Sequence, residues 1–116
     1  MPQTIVIVDD HKAFRRAARA LLRADGYEVV GEAHDAETGL RAAVDLAPDV
    51  VLVDVRLPDR DGFALTADIL AAGAASVVMT SSSDDPCYPA QAEACGAAGF
   101  IAKHDLCGAE LRRLLG

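Results

Sequence analysis

Val50-Val51-Leu52-Val53-Asp54 is a continuous apolar run, rich in β-branched residues, that breaks off at a carboxylate. Two other runs share its form: Ile5-Val6-Ile7-Val8 ends in Asp9-Asp10, and Val77-Val78-Met79 ends in Thr80-Ser81. Strands buried on both faces look like this, and such strands belong to a parallel sheet covered by helices. Parallel strands bring their carboxyl ends to one edge, where open α/β sheets hold their ligands. The sequence therefore predicts that three carboxylates and a hydroxyl meet in one crevice.

Between these runs the apolar period becomes helical. Phe14, Ala17, Ala18, Leu21 and Leu22 share one face of a helix that starts near His11 or Lys12 and stops at Gly26. A short strand, Glu28-Val29-Val30, follows. Asp35 is placed to cap a second helix with the stripe Ala36, Leu40, Ala43, Val44 and Ala47, closed by Pro48. Gly62 to Ala72 reads as a third helix, capped by Asp61. Pro86 and Pro89 both fall in the first turn of the fourth, so that helix is expected to be short and to start at about Pro89. Gly96-Ala97-Ala98-Gly99 leads into a last strand, Phe100-Ile101-Ala102. Asp105 is the expected cap of a final helix that turns Cys107, Leu111, Leu114 and Leu115 inward. The order βαβαβαβαβα has the short connections of an α/β domain, and 116 residues suffice for a single domain, 1–116, with one core.

Composition excludes several functions. Eighteen acidic residues against eleven basic ones give a net charge of -7, the opposite of the basic footprint that phosphate-backbone binding needs, so direct nucleic-acid binding by this chain is not expected. No apolar run approaches the roughly 20 residues that cross a bilayer, and no leader is visible. The expected compartment is the cytoplasm, with no membrane partner. Cys87, Cys95 and Cys107 are odd in number and lack C-x-x-C spacing, which fits three reduced thiols used as filler.

Taken together, these pieces resemble the receiver domain of bacterial two-component response regulators along essentially the whole chain. The resemblance rests on Asp9-Asp10 after the first strand and on Asp54 after the third, followed by Val55-Arg56-Leu57-Pro58-Asp59-Arg60-Asp61-Gly62-Phe63. Ser81 after the fourth strand, the Gly96 to Phe100 stretch and Lys103 after the fifth complete it. The Asp-Asp-His-x-x-Phe-Arg opening and Val-Gly-Glu-Ala around Gly31 are most similar to receivers of the NarL/FixJ type. The resemblance implies a (βα)5 flavodoxin-like (CheY-like) three-layer sandwich with strand order 2-1-3-4-5. It also implies a phosphoprotein rather than an enzyme with turnover, one that assists only its own phosphorylation and dephosphorylation.

The chemistry accounts for each residue type. A carboxylate can attack a phosphoryl group to give an acyl phosphate, which demands little beyond positioning and charge neutralisation. Asp54 is the candidate phosphoacceptor. Clustered carboxylates repel one another and an incoming phosphate, so a hard divalent cation such as Mg²⁺ is required. By the resemblance, Asp10 ligates directly, Asp9 acts through water, and Asp54 and the main-chain carbonyl of Arg56 complete the protein ligands. Lys103 offers an ammonium to the phosphoryl oxygens, and the Ser81 hydroxyl donates to another, with neighbouring Thr80 as the alternative. Phe100 matches the family's aromatic that moves inward when that hydroxyl shifts. The implied partners are a sensor histidine kinase or phosphotransfer protein and, through the surface of the fourth helix, fifth strand and fifth helix, an effector or a second copy.

Plainer readings apply to other residues. His11 at a helix start is expected to be solvent-exposed rather than a metal ligand, and Arg15, Arg16, Arg19 and Arg23 to be solvated charge. Asp84-Asp85 reads as a loop cap, while Asp59 is expected near the pocket. One departure from the family pattern is plain: His104, not proline, follows Lys103. A haloacid-dehalogenase-like phosphatase would need a second acid where Arg56 stands, and a flavodoxin-like nucleotide binder would need a Ser/Thr/Gly loop where Asp9-Asp10 stand. A receiver without the chemistry would not keep Asp10, Asp54, Ser81 and Lys103. The expected use is stand-alone or in a phosphorelay, with a receiver fragment of a DNA-binding regulator as the alternative.

Overall fold

The apolar runs become the strands of one parallel sheet in the computed structural model, which describes residues 2–73 and 75–116. The strands are β1 (Thr4–Val8), β2 (Glu28–Ala33), β3 (Val50–Asp54), β4 (Ser76–Ser81) and β5 (Gly99–Ala102), in spatial order β2-β1-β3-β4-β5. The helices are α1 (Lys12–Ala24), α2 (Ala36–Leu46), α3 (Gly62–Ala72), α4 (Tyr88–Ala94) and α5 (Gly108–Leu115). Alternation along the strands sorts their side chains onto two covered faces. Ile5, Ile7, Val50, Leu52, Val78 and Ile101 pack with Ala18 and Leu22 of α1 and Leu111 of α5. Val6, Val8, Val51, Val53, Val77 and Met79 pack with Leu65 and Ile69 of α3, Tyr88 and Ala92 of α4, and Ala36 of α2. Burial on both faces is why β1 and β3 read as unbroken apolar runs rather than alternating ones.

Local chemistry sets the helix ends. Gly26, at φ 93°, ends α1 in the left-handed region, and the N–H of Tyr27 donates back to the Leu22 carbonyl at 3.0 Å. Asp35 caps α2, accepting from the Thr38 N–H at 2.8 Å, and Asp61 caps α3, accepting from the Ala64 N–H at 2.8 Å. Pro89 sits in the first turn of α4, which keeps only seven residues, and Pro86 falls just before the helix.

Four local expectations need correction. The second strand runs three residues further than Val30, to Ala33, because pairing with β1 continues through Val8↔Ala33. Val44 and Ala47 are exposed instead of joining the α2 stripe; Ala47, the C-cap, takes a left-handed φ of 46°, and Pro48 stops the helix. Ala17 on α1 is exposed as well. Asp105 does not cap α5. It lies in a separate 3-10 turn, Lys103–Asp105, and the carboxylate of Asp25, at the end of α1, takes the Gly108 N–H at 2.7 Å. That cap comes from 83 residues away along the chain.

Candidate phosphoryl and metal site

Sheet pairing brings the polar strand ends together. β3 lies between β1 and β4, so Asp54 stands between the end of β1, which supplies Asp9 and Asp10, and Thr80 on β4, its register partner. Asp54 follows Val50 and Leu52 in alternation, and Asp9 follows Ile5 and Ile7, so both carboxylates stand on the α1/α5 face. Lys103 follows Ile101 on the same face and lays its Nζ 4.4 Å from the centroid of the Phe14 ring of α1.

Lys103 neutralises this corner. Its Nζ lies 2.7 Å from Asp9 Oδ2 and 3.5 Å from Asp54 Oδ2. The shorter contact is charge on charge, without the angle of a hydrogen bond, and leaves Asp9 Oδ2 buried with no hydrogen-bond partner among the described residues. Asp9 Oδ1 accepts from the backbone N–H of His11 at 2.8 Å. Asp9 and Asp54 are only 1% and 4% exposed, whereas Asp10 opens to solvent. Burial pushes the Asp54 carboxyl above the usual aspartate range, the Asp9 charge pushes the same way, and Lys103 and the Arg56 N–H, 3.5 Å from Asp54 Oδ1, pull against them.

His11 is exposed, as expected, yet it is also part of the site. Its Nδ1 lies 3.0 Å from Asp9 Oδ1, 3.2 Å from Asp10 Oδ1 and 3.9 Å from Asp54 Oδ2. Ligand atoms from these four residues lie within 4.8 Å of one another, close enough to surround one ion. The donor set is dominated by carboxylate oxygen, which suits a hard divalent cation. The residues present therefore fit the metal that the sequence implied.

Backbone geometry aims Asp54. Gly62 packs so tightly on the end of β3 that a Cβ there would collide with the Asp54 carbonyl oxygen, and the Gly62 N–H donates to the Val55 carbonyl at 2.6 Å. The loop between them is fastened elsewhere too. Asp59 accepts from the N–H groups of Ala36 at 2.8 Å and Glu37 at 3.0 Å, a second cap on α2 supplied by the loop that follows the candidate phosphoacceptor. Those bonds hold the Asp59 carboxyl below its ordinary range, the Ala36 N–H contributing most.

Arg15 and Arg19 are not merely solvated. Both pair with Glu32 of β2, at 3.1 and 2.7 Å, and Arg15 also donates to the main-chain carbonyl of Asp9 at 2.6 Å. Their i, i+4 spacing put them on one side of α1, but the partner on β2 required the register. Ser81 and Phe100 belong to the other face of the sheet. Ser81 alternates with Val77 and Met79 on the α2/α3/α4 face, where its Oγ accepts from the Ser83 N–H at 3.0 Å. Phe100, half-buried on that face, has its ring centroid 5.7 Å from that of Tyr88, which is 6.0 Å from that of Phe63. Tyr88 was missed in this role; an aromatic beside proline at a helix start gave no periodic signal.

Comparison with known proteins identifies the family. The family model described as response regulator receiver domain matches residues 5–111. The transcription regulator BvgA of Bordetella pertussis, named a putative positive regulator of virulence factors, is 32% identical over 106 residues, covering 90% of this chain and 51% of that protein. The response regulator GacA of Pseudomonas viridiflava is 37% identical over 102 residues, 85% of this chain and 47% of that one. The chain thus spans about half the length of these curated relatives. Among solved structures, the signal receiver domain of the putative response regulator NarL from Mycobacterium tuberculosis superposes with a TM-score of 0.86 at 34% identity, covering 99% of this chain and 98% of that one.

Proposed function

Because the chain belongs to the response regulator receiver family, we propose that Asp54 is its phosphoacceptor and that residues 1–116 act as one receiver domain in two-component signal transduction. The observation that carries this is the meeting of Asp9, Asp10, Asp54 and Lys103 at the carboxyl ends of parallel strands. Asp54 alone among the three carboxylates ends the central strand. Its weak hydrogen bonds, at 3.5 Å from both the Arg56 N–H and Lys103, leave its oxygens free to attack.

The same site is the proposed Mg²⁺ site. Asp9 is already held by Lys103 and the His11 N–H, which supports a role through water, while solvent-facing Asp10, together with Asp54 and the Arg56 carbonyl, is left to ligate directly. A bound Mg²⁺ supplies the positive charge that lets a phosphoryl group approach three carboxylates. Lys103 supplies a fixed ammonium to the transferred oxygens. The donor in this reading is a sensor histidine kinase or phosphotransfer protein in the cytoplasm, and the output is a change in the α4, β5 and α5 surface, with Ser81 and Phe100 carrying it to an effector or a second copy.

Acetyl phosphate with Mg²⁺ and intact-mass measurement test the reading. Wild type should gain one labile phosphoryl group, Asp54→Asn none, and a chelator should block the gain. Asp10→Ala should fold but bind Mg²⁺ at least about tenfold more weakly, as loss of a ligating charge predicts. A full mass gain in Asp54→Asn sinks the assignment.

A further inference from the structure

His11 stands at the N-cap of α1, a position that favours Ser, Thr, Asp or Asn, and its side chain makes no capping bond there. The ring turns to the carboxylates instead. Its Nδ1 lies 3.2 Å from Asp10 Oδ1 and 3.9 Å from Asp54 Oδ2, the two carboxylates proposed to ligate directly, and 3.0 Å from Asp9 Oδ1. A plain ion pair accounts for this poorly. One ring nitrogen carries at most one hydrogen, so it cannot serve three carboxylates, and Asp9 Oδ1 already takes the His11 backbone N–H at 2.8 Å. Donors on adjacent corners around a six-coordinate ion with bonds of about 2.1 Å stand about 3 Å apart, and opposite ones about 4.2 Å. The spacing of Nδ1 from Asp10 and Asp54 falls within that range. Asp9, 1% exposed, adds a second sign of an ion: its Oδ2 has no hydrogen-bond partner among the described residues.

We propose that His11 is a further protein ligand of this site, its Nδ1 lone pair making the donor set mixed oxygen and nitrogen and giving a first-row transition-metal ion such as Co²⁺ an advantage that Mg²⁺ does not share. This rests on the metal reading above. Carboxylate, carbonyl and water suit Mg²⁺, which gains nothing from an imidazole that a water oxygen would not supply, whereas imidazole suits the later divalent metals. His11 therefore sets preference rather than binding as such. Its exposure fits the role, because a side chain 62% open to solvent can give way to water when the ion prefers oxygen. His34 and His104 offer no such set, since each pairs with a single carboxylate, Asp35 and Asp105 respectively.

The test measures Mg²⁺ and Co²⁺ affinity by calorimetric titration of wild type, His11→Ala and His11→Gln, with the visible absorption of bound Co²⁺ as a direct readout of its ligands. Loss of the imidazole should weaken Co²⁺ at least about tenfold in both variants, since even a group that only orients a ligand is worth that much, and Mg²⁺ less than about threefold. The Co²⁺ band should move to longer wavelength as an oxygen donor replaces nitrogen. Neither substitution removes a capping bond, so both variants should keep the thermal midpoint of the metal-free wild type. Co²⁺ affinity and spectrum unchanged in both variants overturn the proposal and leave the carboxylate site standing. An equal fall for both metals overturns it too, because His11 would then act on charge or loop position and not on the choice of metal. A wild type that binds neither ion overturns the metal reading and this proposal with it.

Discussion

The two faces of this sheet are built on different terms. On the α1/α5 side the apolar layer is topped by Asp9, Asp54, Thr80 and Lys103, charges and an orphan hydroxyl taken out of water. On the α2/α3/α4 side the same height is filled by Phe63, Tyr88 and Phe100, packed as tilted rings. The first side holds groups that are imperfectly satisfied, Asp9 Oδ2 and Thr80 Oγ1 among them, as a site proposed to take a cation and a phosphoryl group would. The second is satisfied by packing, and its state depends on how rings and α4 fit together. On the reading proposed above, recognition and readout are separated by one layer of backbone, with Thr80 and Ser81 as neighbours on β4.

The largest expected effect lies on the packed side. Tyr88→Ala removes a buried ring wedged between Phe63 and Phe100 and should cost about 3–4 kcal/mol in urea unfolding, while Mg²⁺ affinity changes less than twofold. A parallel loss of Mg²⁺ affinity would show that the faces are not separable.

Next comes the charged side. Lys103→Met leaves Asp9 buried without its cation and should cost about 3 kcal/mol in the metal-free protein, a loss that saturating Mg²⁺ partly restores. If Mg²⁺ restores nothing, Lys103 is a packing residue on Phe14 and not the counter-charge of the site.

Removing a carboxylate should have the opposite sign. Burial and Asp9 raise the Asp54 carboxyl above its unfolded value, so this group favours the fold only when protonated: its contribution is fully present below the unfolded value near 3.8 and is lost as pH rises through the higher folded one. At pH 7 the charge is a burden that Asp54→Asn relieves. The variant should melt roughly 5 °C higher without metal, the shift that about 1 kcal/mol gives a domain of this size. The advantage should shrink as pH falls toward 4. An Asn variant less stable than wild type at pH 7 would mean that Lys103 outweighs burial.

How much of this could be read from the sequence follows from the same division. β1, β3 and β4 were legible because strands buried on both faces leave continuous apolar runs, the positions of Asp10 and Asp54 because they sit where two of those runs end, and that of Lys103 because it follows the short run of the fifth strand. What stayed hidden was long-range and sideways. The Asp25 cap on Gly108, the Asp59 cap on Ala36 and Glu37, and the Arg15 bond to the Asp9 carbonyl each join residues that only the tertiary fold brings together. Asp105 looked like the cap because local spacing sees only nearby donors. Which face Thr80 and Ser81 each take required strand register, since a shift of one residue exchanges the faces of every side chain.

The smallest expected change in stability concerns the residue that links the faces. Ser81→Ala removes an acceptor from the Ser83 N–H in a loop where water can replace it, so it should cost under about 1 kcal/mol. The effect on readout should be far larger. In the free protein the Ser81 hydroxyl accepts from its own loop, on the side where Tyr88 and Phe100 pack, and on the proposed reading a phosphoryl oxygen on Asp54 would offer it a charged acceptor instead. Drawing Ser81 inward would release the Ser83 bond and move the start of α4, which prolines 86 and 89 leave with few backbone bonds to break. Ser81→Ala should therefore still take one phosphoryl group on Asp54. Amide shifts on adding beryllofluoride and Mg²⁺ should then stay around Asp10, Asp54 and Lys103, whereas in wild type they extend to Tyr88, Phe100 and α5. If the alanine variant sends the same changes to α4 as wild type, the link between the faces does not run through Ser81.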